Sequence, residues 1–202
     1  MPPRLTIWSG GQCGVDMTAL AVARSFSIPT GGYAPHGWLR YNDLGKIISD
    51  PSLADFGLIE GPPDPKRWPL RTRLNASCSD LTVWFGKKSA GYWCTRNACH
   101  RASKPFHEPQ TGHELASILL PHLERGPVIL NVAGNRSFSN PAASTLALYV
   151  LTEALQTPLS TVPPPTSDCG CCGRPASVHE AYQSFCPTCY EAGAASDDRD
   201  QT

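Results

Sequence analysis

Apolar and polar positions along the chain fall into a recurring order. Leu5, Ile7 and Trp8 form a short apolar run that stops at Ser9-Gly10-Gly11, the pattern of a buried strand ending in a turn. Over residues 15–26 the apolar side chains of Val15, Ala19, Leu20, Val22, Ala23 and Phe26 recur at helical intervals. Asp16 falls in the first turn, where the helix dipole favours a carboxylate. The same strand, glycine turn and helix return twice. Residues 81–85 precede Gly86 and a helix over 93–102; residues 127–132 precede Ala133-Gly134 and a helix over 141–155. A short strand at 105–107 and an amphipathic helix over 113–123 lie between them. Such alternation predicts an α/β domain with a parallel sheet flanked by helices.

Residues 30–70 resist this reading, because Gly and Pro interrupt every candidate element, and they are expected to form a long, mostly irregular excursion. After the α/β domain (1–155), a Pro-rich linker covers 156–168, with three consecutive prolines that favour extended chain. A cysteine-rich module covers 169–190, and a small, acidic tail over 191–202 is expected to be disordered.

Composition adds charge to this picture. Seventeen Lys and Arg balance seventeen Asp and Glu, which excludes a histone-like polycation. The balance is uneven: residues 1–155 hold fifteen basic and eleven acidic side chains, and residues 156–202 hold two and six. The basic excess is concentrated between Lys66 and Lys104, where an anionic partner is expected. No run approaches the roughly 18–20 apolar residues of a membrane span. No membrane role is expected, and a cytoplasmic address is the default.

Five of the nine cysteines lie in the last thirty-four residues. Cys169 and Cys172, with Cys186 and Cys189, make two C-x2-C pairs separated by thirteen residues, a spacing that can deliver four thiolates to a structural Zn2+. Cys171 is spare in this register, although it can replace Cys172. A segment this short cannot bury enough apolar surface alone, so the metal would supply its folding free energy. A closed four-thiolate site does not activate water. With one Arg inside the ribbon and acids after it, nucleic-acid binding is not expected, and a protein partner is.

The first glycine loop, Ser9 to Asp16, places unobstructed backbone N–H groups at a helix N-terminus, an arrangement that binds oxyanions. It is neither a Walker loop nor G-x-G-x-x-G. SGGQCGVDMTAL from Ser9, IPTGGYAPHG from Ile28, LRTRLNASCSDLTVWFG from Leu70 and LNVAGNR from Leu130 stand in a fixed order. Over residues 4–155 the chain thereby resembles the "putative molybdenum carrier" family, the circularly permuted YpsA-like branch of the SLOG superfamily. The resemblance implies a Rossmann-like sheet whose carboxyl-edge loops bind a small anionic ligand, a nucleotide or a molybdopterin-type molecule. Carried over, Ser9, Gly10, Gly11, Gln12, Gly14 and Asp16 form the first ligand loop and Gly31 and Gly32 the second. Arg71, Thr72, Asn75 and Asp80 form the third, and Gly134 and Arg136 belong to the last. Gly91, Tyr92 and Thr95 stand where the family has a small Gly-Gly-Thr loop, so that Tyr92 and Trp93 either narrow the pocket or offer a surface for a base. Cys13 and Asn135 also depart from the pattern, in place of Thr and Pro. Arg71 and Arg136 are the candidates for charge, since a guanidinium can hold two phosphate oxygens.

Non-catalytic binding, as carrier, sensor or sequestering protein, is the expected function, in a homo-oligomer. The alternatives are a nucleoside-phosphate glycosidic hydrolase, like the cytokinin-activating SLOG enzymes, and a zinc-ribbon adapter gated by ligand. The hydrolase motif Gly-Gly-x-Gly-Thr-x-x-Glu has no equivalent after Gly91.

Overall fold

The computed structural model describes residues 4–63, 69–156, 178–180 and 183–185. The chain divides into two compact units, Met1–Ser160 and Thr161–Thr202.

The first unit is built on β1 (Leu5–Trp8), α1 (Val15–Ser25), β2 (Thr30–Ala34), a hairpin of β3 (Leu39–Tyr41) and β4 (Ile47–Ser49), and β5 (Leu58–Glu60). It continues through α2 (Pro69–Cys78), β6 (Leu81–Phe85), α3 (Ala90–Arg101), β7 (Phe106–His107), α4 (Gly112–Arg125), β8 (Val128–Gly134) and α5 (Pro141–Gln156). Six strands form one sheet in the order β5-β2-β1-β8-β6-β7, every pair parallel. Helices α1, α4 and α5 pack together on one side, and α2 and α3 pack together on the other. Strands covered on both faces need apolar residues at successive positions, and all five residues of β6 are buried. The core is carried by Ile7, Leu20, Leu81, Val83, Phe85, Leu115, Leu119, Leu130, Val132 and Leu151.

Two helices open on the caps their sequences provide. Ser89 accepts a hydrogen bond from Tyr92 N, and Thr111 accepts one from Glu114 N.

The irregular excursion expected over 30–70 is instead mostly ordered structure. It contributes two strands of the main sheet, β2 and β5, the antiparallel β3–β4 hairpin and two 3-10 helices, His36–Trp38 and Pro51–Phe56. These strands are three to five residues long, and Gly31-Gly32 sits inside β2, so alternation had no length over which to show. Glycine is required there because a Cβ at Gly32 would lie 2.2 Å from Ser9 O of the neighbouring strand.

In the second unit, β9 (Val178–Glu180) and β10 (Gln183–Phe185) pair antiparallel. Cys169, Cys171, Cys172, Cys186 and Cys189 lie outside the described residues, as do residues 157–168 and 191–202.

Candidate functional site

In the parallel sheet the chain leaves β1 toward β2 and leaves β6 toward β7, in opposite directions, with β8 inserted between β1 and β6. Such a reversal opens a crevice at the carboxyl ends of the strands. The loops after β1, β2, β6 and β8 all arrive at that edge, together with the first turn of α2.

Ser9 anchors the first loop to both neighbouring strands: its N–H donates to Gly31 O at 3.0 Å and its hydroxyl to Val132 O at 2.7 Å. The loop after β8 lies directly on it. A Cβ at Gly14, whose φ is 93°, would sit 2.4 Å from Ser137 N. Asn135 joins the third member: its Oδ1 accepts from Lys87 N at 2.6 Å and its Nδ2 donates to Lys87 O at 3.3 Å. The departure from the family proline therefore has a structural role, since the amide clamps the turn after β6 to the turn after β8.

Arg71 reaches this junction from α2. Its Nη1 lies 3.2 Å from Asp16 Oδ2, with the two side chains 13% and 6% exposed. The guanidinium passes over Gly10, where a Cβ would lie 1.4 Å from Nη1. Arg71 Nε is buried without a hydrogen-bond partner. Asp16 also accepts from Gln12 N at 3.3 Å. Burial pushes the Asp16 carboxyl above the ordinary carboxylate range, against the pull of Arg71, the Gln12 N–H and Arg136. Every residue from Ser9 to Asp16 is buried. The main-chain N–H groups of Gly10, Gly11, Cys13 and Gly14 donate to no acceptor among the described residues.

The hairpin is tied to the same junction. Gln12 Nε2 donates to Leu39 O at 3.3 Å, and its Oε1 accepts from Tyr41 N at 3.1 Å. Arg136 Cζ lies 4.3 Å from the Tyr41 ring centroid, and Tyr41 packs on Phe138. Asn75 seats α2 on β2 by accepting from Tyr33 N at 2.7 Å and donating to Tyr33 O at 3.1 Å.

Ser9, Gly10, Gly11, Gln12, Gly14, Asp16, Arg71, Gly134 and Arg136 are thus brought to one edge, with Gly31 and Gly32 in the adjoining strand and Thr72 and Asn75 in the first turns of α2. Asp80 is not brought there. It precedes β6 at the opposite end of the sheet, where its Oδ2 accepts from Ile129 N at 2.7 Å and its own N–H donates to Ile129 O. Its position in the motif had suggested a loop, but Arg71 stands in the first turn of the ten-residue helix α2 and Asp80 lies beyond that helix's far end. Gly91, Tyr92 and Thr95 lie within α3 rather than in a loop. Tyr92 is 2% exposed, packed edge-on against Trp84 and Phe106, and its hydroxyl donates to Glu108 at 2.7 Å, so it offers no stacking surface. The Thr95 hydroxyl is spent on Gly91 O at 2.9 Å. Cys13 is buried, and His36 lies against Glu60. Among the described residues no cluster of His, Cys, Asp or Glu could hold a metal, and no helix is long and apolar enough to cross a membrane. Tyr41 was missed as a site residue, because no spacing rule singles out an aromatic in a loop, and Asn135 was noted only as a departure from the family pattern, without its clamping role.

The sequence profile of the circularly permutated YpsA SLOG family matches residues 7–155. No curated protein matches the chain. Among solved structures, a "putative molybdenum carrier protein" from Syntrophus aciditrophicus SB is similar, at 26% identity and a TM-score of 0.61, over 76% of this chain and 96% of that one.

Proposed function

The chain belongs to the circularly permutated YpsA SLOG family, and on that premise we propose that its carboxyl-edge loops bind a small anionic, nucleotide-like ligand without transforming it. The observation that carries this reading is the Arg71 guanidinium lying over Gly10 with Nε unpartnered, beside a buried loop in which the amides of Gly10, Gly11, Cys13 and Gly14 have no acceptor among the described residues. A buried donor without an acceptor costs about 1–3 kcal/mol. A phosphate or other oxyanion at the mouth of the loop would satisfy several at once, at the positive end of α1. Asp16 then serves as the counter-ion that holds Arg71 over Gly10. It makes a poor catalytic base, since it is buried and accepts from both Arg71 and Gln12. The name of the Syntrophus protein is compatible with a molybdopterin-type ligand, whose phosphate would use the same donors.

In the same proposal, Cys169, Cys172, Cys186 and Cys189 hold a structural Zn2+, and that module serves a protein partner. Calorimetry with AMP, ADP-ribose, molybdopterin and molybdate tests the binding site. At least one ligand should bind and be lost on Arg71→Ala, with no base released from AMP. Absence of heat with every ligand would overturn the reading.

A further inference from the structure

Trp8 closes β1 and is registered with Gly31 on β2 and Asn131 on β8. Neighbours in a parallel ladder project from the same face of the sheet, here the one on which α2 packs against β2 through Asn75. The indole occupies the space that a side chain at position 31 would need: a Cβ at Gly31 would lie 2.8 Å from Trp8 Nε1 and 3.1 Å from Cδ1. Gly31, read from the sequence as a ligand-loop residue, thus serves to admit the indole. Tyr33, two residues further along β2, meets the indole edge-to-face, with centroids 5.9 Å apart and planes at 81°.

Neither ring is sealed into the core; both are half-buried. Among the described residues the indole N–H of Trp8 makes no side-chain hydrogen bond. Across the sheet end the next residue on this face is Ala133, small and half-buried, so no bulky side chain from β8 closes the space. Trp8 is also two residues from Gly10, where the Arg71 guanidinium lies. Two residues of extended chain span about 6–7 Å, the length a ribose bridges between a phosphate and a base.

We propose that Trp8, braced by Tyr33 and admitted by Gly31, is the specificity determinant that stacks a planar heteroaromatic ring of the ligand, so that the site prefers a ring-bearing phosphate to a bare oxyanion or sugar phosphate. Nucleobases and pterins share this chemistry. The inference rests on the binding reading above, with the anion held at Gly10 to Gly14 and Arg71. The Trp8 indole N–H is a donor for a ring nitrogen or carbonyl at the edge of the stack.

Calorimetry on the full chain compares AMP, GMP and neopterin phosphate with ribose 5-phosphate and inorganic phosphate. At least one ring-bearing probe should bind about tenfold or more tighter than ribose 5-phosphate, the range expected for aromatic stacking. Trp8→Leu should remove that advantage and leave ribose 5-phosphate affinity within about twofold, while Trp8→Phe should keep part of it. AMP against neopterin phosphate distinguishes a nucleobase from a pterin. If Trp8→Leu does not fold, as judged by its circular dichroism spectrum, Trp8→Phe and the wild-type comparison still decide. Equal affinity for ring-bearing and ring-free probes, or an equal loss for both on substitution, overturns the role of Trp8 and leaves the anion site standing. Binding of none of the five overturns the anion site, and this inference with it.

Discussion

Replacing Gly10 with alanine places a methyl carbon 1.4 Å from Arg71 Nη1 and 2.1 Å from its Cζ. Gly10 is not among the residues with positive φ, so alanine fits the backbone and the perturbation falls on the guanidinium. Non-bonded carbon contacts settle near 3.5–4.0 Å. The guanidinium must therefore retreat by about 2 Å, and the 3.2 Å contact to Asp16 breaks. A hydrogen bond to a charged group is worth about 1.5–3 kcal/mol, and breaking a buried pair costs about 3–5 kcal/mol when a charge is stranded. Asp16 escapes the larger figure by taking a proton, which its burial already favours. A loss of about 2–3 kcal/mol follows, a fall in Tm of about 4–12 °C for a chain of this size.

The pH dependence has a definite sign. Removing Arg71 raises the folded-state pKa of Asp16 further above its unfolded value. Such a group contributes stability at low pH that is lost as pH rises through the folded pKa. The Gly10→Ala deficit should therefore grow as pH rises from the acid range through the folded-state pKa of Asp16. Thermal unfolding followed by circular dichroism across a pH series checks this, with Asp16→Asn and the double variant completing a cycle. A deficit below about 0.5 kcal/mol, or one unchanged in the Asp16→Asn background, would refute the role given to Gly10.

Asn75→Ala should destabilise the chain by about 1–3 kcal/mol, because it leaves both main-chain groups of Tyr33 without their partner; urea denaturation measures it. Asp50 is held below the usual carboxylate range chiefly by the Ser52 hydroxyl, with Arg40 adding to it. Its contribution is present above the unfolded pKa and lost as pH falls through the folded one, so Asp50→Asn should flatten the loss of stability below about pH 4. Metal analysis should find one zinc per chain, released by a mercurial reagent and reduced by Cys186→Ser; a zinc-free native protein would exclude the four-thiolate site.

Strand–glycine–helix order and the parallel sheet were legible in the sequence because they depend on local periodicity. The expectation that Ser9, Gly10, Asp16, Arg71 and Arg136 share an edge came from the family resemblance and not from periodicity or spacing. The strands inside 30–70 were not, because segments of three to five residues become strands only through partners already in place. Asp80 and Tyr92 illustrate the same limit. A motif places residues near one another along the chain, but the helix between Arg71 and Asp80 carries them to opposite ends of the sheet, and burial against Trp84 and Phe106 turns Tyr92 inward. Glycine content pointed to the loops; what each glycine accommodates was decided by contacts distant in sequence. Arg71 over Gly10, Trp8 over Gly31 and Ser9 against Gly32 are steric facts of packing, and packing is settled only when the whole sheet has closed.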